Sequence, residues 1–237
     1  MNAKADVVTQ LDSVRLFNGL PAAALKRLAA SCQILHPPDG TRLFALGDPP
    51  DAVYALLACE GRVRVGAPDA RGKRLLIEVL QAGDILGEIG VLTDQPRSAD
   101  ADIEGRVALL RLARSEFLAA VESEPLLGAR LARELASRLG WTLVMLQDAT
   151  FGSLEARLAR QLLHLAGRGS RKTPDGLRLA GRYRQADLAD LMGATTRSII
   201  TILNQWRADG RILFDAEHGF ITLHDVESLR AVTQADE

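Results

Sequence analysis

The stretch Gly83–Ala99, GDILGEIGVLTDQPRSA, decides how the chain reads. It begins as a short strand, turns through Gly-Glu-Ile-Gly into one helical turn, and ends in a loop at Arg97-Ser98-Ala99. Gly87 and Gly90 allow backbone to approach a ligand closely. The N–H groups of a helix start attract an anion. Arg97 adds a planar donor fork that matches phosphate oxygens. A carboxylate repels phosphate, so Glu88 fits there only if it accepts from a neighbouring sugar hydroxyl. Together these features describe a pocket for a ribose phosphate. The plain alternative is a β-hairpin with a salt-bridged surface arginine.

Around this stretch, residues 34–112 read as short strands separated by turn chemistry. The turns are His36-Pro-Pro-Asp-Gly40, Gly47-Asp-Pro-Pro-Asp51, Glu60-Gly61 and Asp69-Ala-Arg-Gly72. The strands are expected at Thr41–Phe44, Val53–Cys59, Arg62–Val65, Arg74–Leu80, Ser98–Asp102 and Val107–Leu112. Val63 and Val65 alternate with Arg62 and Arg64, which suggests a half-exposed strand. Many short strands at near-regular spacing imply a small antiparallel sandwich or barrel, interrupted by a single helical turn. Residues 1–33 read as a helical cap, with helix starts at Asp12-Ser13 and Leu20-Pro21.

After the strands, Arg114–Glu122 reads as a short helix capped by Ser115. Pro125 then opens a long helix running to about Thr150. Leu131, Leu135, Leu139, Thr142, Leu146 and Ala149 follow heptad-like steps along it. A helix of that length spans roughly 37 Å, more than a small β domain covers, so a parallel partner helix is expected. Thr142 is the polar member of this seam. Its hydroxyl either bonds back to its own helix or faces a nucleotide base. Phe151-Gly152-Ser153 reads as a hinge, with Ser153 capping the next helix. Leu154, Leu158, Leu162, Leu163 and Leu165 form that helix's buried face, and Gly167–Gly176 is expected to be a basic loop.

The stretch from Arg184 to Trp206, RQADLADLMGATTRSIITILNQW, has helix–turn–helix spacing. Leu188, Ala189 and Leu191 face inward from the first helix, Gly193 permits the turn, and Thr195 caps the second helix. Ile199, Ile202 and Leu203 bury that second helix. This leaves Thr196, Arg197, Ile200 and Thr201 outward near its start, where DNA-reading helices place base contacts. Two further strands, Arg211–Phe214 and Gly219–Leu223, make a wing. Without the wing, the pattern would fit an ordinary α-hairpin equally well.

Composition bounds the alternatives. The 237 residues allow one large or two small domains, and 47% hydrophobic content is ample for a core. Net charge is −1, but residues 151–211 carry +6, so the basic character is local to the helix–turn–helix end. Cys32 and Cys59 are the only cysteines and have no C-x-x-C spacing, which suggests a reduced, cytoplasmic setting. Two thiols cannot make a four-cysteine iron–sulfur site. No apolar run approaches the ~20 residues of a membrane span. No nucleophile elbow, P-loop or zinc pattern is present, so the chain is not expected to be an enzyme or to bind a metal.

The motif G-E-[ILA]-x…P-R-[SAT]-A resembles the phosphate-binding cassette of cyclic-nucleotide-binding domains. With the long helix and the winged helix, the chain from roughly 15 to 225 resembles the cyclic-AMP receptor and fumarate–nitrate regulator (Crp-Fnr) family. The resemblance implies an α+β protein. Its parts would be an N-terminal antiparallel β-roll over 1–124, a long dimerisation helix and linker over 125–150, and a C-terminal winged helix-turn-helix over 151–237. It implies that Gly87, Glu88, Ile89, Arg97 and Ser98 hold the phosphate and ribose of cyclic AMP or cyclic GMP. Thr142 would meet the base from the dimerisation helix, and Arg138 on the same helix would join the ligand-binding set. Arg184, Thr195, Thr196, Arg197 and Thr201 would meet double-stranded DNA at a palindromic operator. A homodimer contacting RNA polymerase is implied as well.

Four departures from the family pattern stand out. Leu143 occupies the position of a partner-supplied serine. Arg197 and Thr201 replace the usual recognition-helix residues. The oxygen-sensing cysteines are missing. Ser98 follows Arg97, and a hydroxyl there is compatible with cyclic GMP as well as cyclic AMP. Two other readings are a family regulator that answers another effector or none, and a nucleotide-binding module that acts on a protein partner.

Overall fold

A computed structural model of the protein describes residues 3–68 and 74–234. The Asp69–Gly72 turn lies outside them. The elements follow in order: α1 (Ala3–Ser13), α2 (Ala22–Ser31), β1 (Cys32–Leu35), β2 (Arg42–Phe44), β3 (Ala52–Cys59), β4 (Arg62–Pro68), β5 (Arg74–Leu80), β6 (Ile85–Leu86), α3 (Glu88–Thr93), β7 (Asp100–Glu104), β8 (Val107–Ala113), α4 (Arg114–Ser123), α5 (Pro125–Phe151), α6 (Leu154–Arg168), β9 (Ser170–Thr173), β10 (Gly176–Leu179), α7 (Gln185–Met192), α8 (Thr196–Ala208), β11 (Ile212–Asp215), β12 (Phe220–Leu223) and α9 (Val226–Gln234). The chain divides into two compact units, and the division falls inside α5 between Ser137 and Arg138.

The first unit is built on two four-stranded sheets, ordered β1-β8-β3-β6 and β2-β7-β4-β5. β3 is buried on both faces, as its nearly unbroken apolar run requires. Ala52, Tyr54 and Leu56 join Val63, Leu86, Ile103 and Leu109 in one core. Val53 and Ala55 face the other way, into a second core with Leu11, Phe17, Leu25, Leu28, Phe117 and Leu127. The period-2 alternation of a strand thus lets β3 serve both cores. The other sheet is laced by ion pairs. Arg62 and Arg64 both reach Glu104, at 2.6 and 3.1 Å. Burial pushes the Glu104 carboxyl up, but the two guanidiniums hold it below the usual range.

Several expectations for this unit change. Arg62 is buried rather than half-exposed, because its charge is matched by Glu104 directly across the β4–β7 register. Asp12 and Ser13 end α1 instead of starting a helix. The Asp12 carboxylate accepts from the Gly19 N–H at 2.7 Å, and the Ser13 hydroxyl donates back to the Gln10 carbonyl. The N-cap of α4 is Ala113, with no side-chain cap, so Ser115 sits inside the first turn. The seam drawn along α5 splits. Leu131 is buried in the helical core and Leu135 packs against it. Leu139, Leu143 and Leu146 are 61%, 53% and 64% exposed, so the unpartnered stripe follows them and includes Leu143.

In the second unit, Ser153 caps α6 by accepting from the Ala156 N–H. α6 buries Leu158, Ala159, Leu162 and Leu165, while Leu154 and Leu163 are only half-buried. Two polar ties join it to the helix–turn–helix pair. The Trp206 indole N–H donates to the Glu155 carboxylate at 2.7 Å, and Arg157 donates to the Met192 carbonyl at 2.6 Å. Gly193 ends α7 with φ +61°, and the Ala194 N–H returns to the Ala189 carbonyl. The expected basic loop is instead a hairpin. β9 and β10 pair antiparallel and extend the wing into a sheet ordered β11-β12-β10-β9. Ser-Arg-Lys-Thr has no apolar alternation because β9 is an exposed edge strand, where charge is the norm.

Candidate functional site

The register of β3 builds the candidate ligand site. Tyr54 pairs with Leu86 on one side and with Arg111 on the other. Antiparallel pairing therefore brings Gly87, which follows β6, beside the start of β3. The two adjoining carbonyls, Gly87 and Ala52, accept from the Arg97 guanidinium at 2.8 and 2.7 Å. The guanidinium carbon lies 4.4 Å from the centroid of the Phe44 ring, a cation–π contact. A third bond runs from Nη2 to the Asp51 carboxylate at 3.0 Å. Arg97 is only 3% exposed, so these partners offset the cost of burying its charge.

The backbone of Arg97 is fixed too. Its N–H donates to the Asp48 carbonyl at 2.8 Å, and its carbonyl accepts from Gly47 at 2.9 Å. Gly47 has φ +90°, so the Gly47-Asp48 turn sets where the arginine enters the site.

Gly87 has φ +86°, and a Cβ there would run into the Arg97 guanidinium. This glycine is required twice, by conformation and by close approach. Gly90 serves a different purpose from the one its sequence position suggests. A Cβ on it would lie 2.8 Å from the Gln95 carbonyl and 3.2 Å from Pro50 Cβ. It makes room for its own chain. Glu88 opens α3 and is 2% exposed. Ile89 is 48% exposed, and Ser98 lies exposed in the bend before β7. α3 is six residues long, too short to gather a macrodipole of consequence, so the charge of this site rests on its side chains. Arg138 and Thr142 belong to the second unit. The Thr142 side chain is exposed, and its hydroxyl donates to the Arg138 carbonyl at 2.9 Å, the bond a helical threonine makes to its own preceding turn.

The candidate nucleic-acid surface is the start of α8. Thr195 is its N-cap and accepts from the Ser198 N–H at 3.2 Å. Ile199, Leu203 and Trp206 are buried; Ile200 and Ile202 are both half-buried, on neither face cleanly. Thr196, Arg197 and Thr201 are exposed, and the Thr201 hydroxyl donates to the Arg197 carbonyl. Arg184 caps α7: its N–H donates to the Asp187 carboxylate at 2.7 Å, and its side chain is exposed. Arg178 on the neighbouring sheet and Arg182 in the loop after β10 lie over the Phe220 ring, at 3.9 and 4.9 Å from its centroid. The wing turn is tied by Asp215, which accepts from the backbone of Glu217 and His218. The His218 backbone and ring hold the Asp215 carboxyl below its ordinary range.

Residues 35–124 match the cyclic nucleotide-binding domain model, and residues 156–232 match the Crp-like helix-turn-helix domain model. The chain belongs to the Crp-Fnr family of transcription regulators. A CRP-like cAMP-activated global transcriptional regulator of Mycobacterium tuberculosis is 27% identical over 207 residues, covering 87% of this chain and 92% of that one. The fold is shared with a CooA mutant from Carboxydothermus hydrogenoformans, with TM-score 0.72, 20% identity, and 86% and 88% of the two chains covered. It is shared also with the c-di-GMP responsive global regulator of Xanthomonas campestris, with TM-score 0.67, 20% identity, and 86% and 99% covered.

Members of this family are cyclic-nucleotide-dependent transcription regulators, not enzymes. Among the described residues no cluster of His, Cys, Asp or Glu could hold a metal, and no helix is long and apolar enough to cross a membrane. Three groups at the cassette escaped sequence reading: Phe44, Asp51 and Arg111. Each lies more than a dozen residues from Arg97, and only sheet register brings them together. On the DNA-binding unit, Arg178, Arg182 and Phe220 were missed for the same reason.

Proposed function

We propose that the protein is a homodimeric transcription regulator switched by cyclic AMP or cyclic GMP. The observation that carries this reading is the buried Arg97 guanidinium on the Gly87 turn, with buried Glu88 beside that turn. The two unused donors of Arg97 would meet the cyclic phosphate, and Glu88 would accept from the ribose 2′-hydroxyl. The exposed leucines of α5, at 139, 143 and 146, would pair with a second copy. Ligand would favour one of two dimer arrangements and so set the DNA-binding surfaces for operator binding. Thr196, Arg197 and Thr201 would read the major groove, and Arg184 and the Arg178–Arg182 pair would grip phosphates. RNA polymerase is the expected protein partner, and the cytoplasm the expected compartment.

A second reading keeps the DNA-binding role but assigns a different effector. It is favoured by Leu143, which offers no hydroxyl to a base, and by a fold neighbour described as c-di-GMP responsive. Calorimetric titration of nucleotide-stripped protein with cyclic AMP and cyclic GMP in parallel separates the two. Saturable binding of either, with tighter retention of operator DNA in its presence, supports the first. Operator affinity indifferent to both, with no heat of binding, overturns it.

A further inference from the structure

We propose that Asp51 sets the anion affinity of the Arg97 site by holding one of its donors and cancelling part of its charge. This rests on Arg97 being the phosphate-binding group. Asp51 lies in the loop before β3, outside the glycine turn and the Pro-Arg-Ser motif. Its carboxylate bridges two guanidiniums: Oδ1 accepts from Arg97 at 3.0 Å and Oδ2 from Arg111 at 2.8 Å. The β3–β8 register places Arg111 directly across from Tyr54, on the face that also bears the ring nearest to Arg97 after Phe44. One carboxylate therefore serves two cations at the edge of the site.

Asp51 is not needed to position Arg97. The Gly87 and Ala52 carbonyls take one hydrogen from each terminal nitrogen, and the Phe44 ring covers the guanidinium face. Of the five N–H donors on an arginine, three are engaged here, and one of those three goes to Asp51. Removing that carboxylate leaves the guanidinium anchored while it gains a free donor and loses a negative neighbour. The Asp51 side chain is 54% exposed, so its reach is damped by solvent, whereas that of Arg97 is 2% exposed and feels the neighbour strongly. Burial works to raise the Asp51 carboxyl, yet Arg111 and Arg97 hold it below the usual range, so it is an anion throughout the neutral pH range. Arg111 is the counterweight: it draws part of the Asp51 charge away from Arg97.

The test is calorimetric titration of the full chain with cyclic AMP and cyclic GMP, at about 50 and about 500 mM salt. The variants are Asp51→Asn, Asp51→Glu and Arg97→Leu. Asp51→Asn preserves size and an acceptor oxygen but removes the charge, and is expected to tighten nucleotide binding about tenfold at low salt, which is ~1.4 kcal/mol. The gain should shrink at high salt, and Asp51→Glu should behave like the parent. A purely structural role would not give a gain that salt removes. Unchanged or weaker binding by Asp51→Asn, with the parent still binding, overturns the inference and leaves the phosphate role of Arg97 standing. Binding by Asp51→Asn alone, lost again on adding Arg97→Leu, supports it. If neither parent nor Asp51→Asn binds either nucleotide, both readings fall. Circular dichroism melting of each variant checks that the fold is retained.

Discussion

Replacing Arg97 by leucine should do more than remove a ligand contact. The side chain makes three hydrogen bonds from a nearly inaccessible position, at 2.8, 2.7 and 3.0 Å. Hydrogen bonds to a charged group are each worth about 1.5–3 kcal/mol net, and a buried carbonyl left without its donor costs about 1–3 kcal/mol. Leucine regains roughly 1.5–3 kcal/mol by burial of its own side chain. The balance is a loss of roughly 2–7 kcal/mol, confined to the first unit. At roughly 3–5 °C per kcal/mol for a unit of this size, its melting temperature should fall by at least about 6 °C.

Scanning calorimetry measures that shift. Both tryptophans, Trp141 and Trp206, lie in the second unit, so their fluorescence reports whether that unit is untouched. Nucleotide binding, measured below the melt, should be lost. A first-unit melt within about 2 °C of the parent would refute the reasoning, because it would mean the guanidinium is not engaged by the Gly87 and Ala52 carbonyls.

Three further outcomes are expected. Glu155→Ala should destabilise the second unit by about 1–3 kcal/mol in urea, followed by tryptophan fluorescence, because it strands the indole N–H of fully buried Trp206; an unchanged midpoint would show that the bond contributes nothing. Arg197→Ala should weaken operator binding about tenfold in a gel-shift titration without altering nucleotide affinity, as loss of one base or phosphate contact would; full retention of operator affinity would move the recognition role elsewhere on α8. The Cys32 thiol is pushed up to about 12, first by burial and then by the Glu116 charge. In a Cys59→Ser background, its alkylation at neutral to mildly alkaline pH should be slow, and should reach the rate of an ordinary thiol only on unfolding in urea. Because the folded pKa is raised, stability should fall as pH climbs above the unfolded value near ~8.5 toward the folded one.

Much of the molecule was legible because its signals are local. Gly87, Glu88 and Arg97 sit within eleven positions of one another, and their turn and charge chemistry does not depend on distant partners. The same holds for Gly193 and Thr195, whose turn and cap act within four residues of themselves, and for Val63 and Val65, whose alternation marks a strand. The α5 seam was drawn too far toward the helix start, because 3.6-residue periodicity shows only that a face is apolar. Leu131 is covered by the helical core and Leu139 is 61% exposed, though both carry the same signal. β9 was missed because an exposed edge strand needs no apolar alternation.

By itself the sequence determined the order of parts: strands with one glycine turn, a long helix, a helix–turn–helix and a wing. Tertiary structure alone decided how Arg97 is held. Antiparallel pairing of β3 with β6 and β8, and of β2 with β7, brings Phe44, Asp51, Ala52 and Arg111 to a side chain more than a dozen residues from any of them. Hydrogen-bond register is a property of two strands at once, and no single stretch of chain records it. The glycine turn and Arg97 together point to an anion; the groups gathered around Arg97 by register would set how much of its charge is left to bind one.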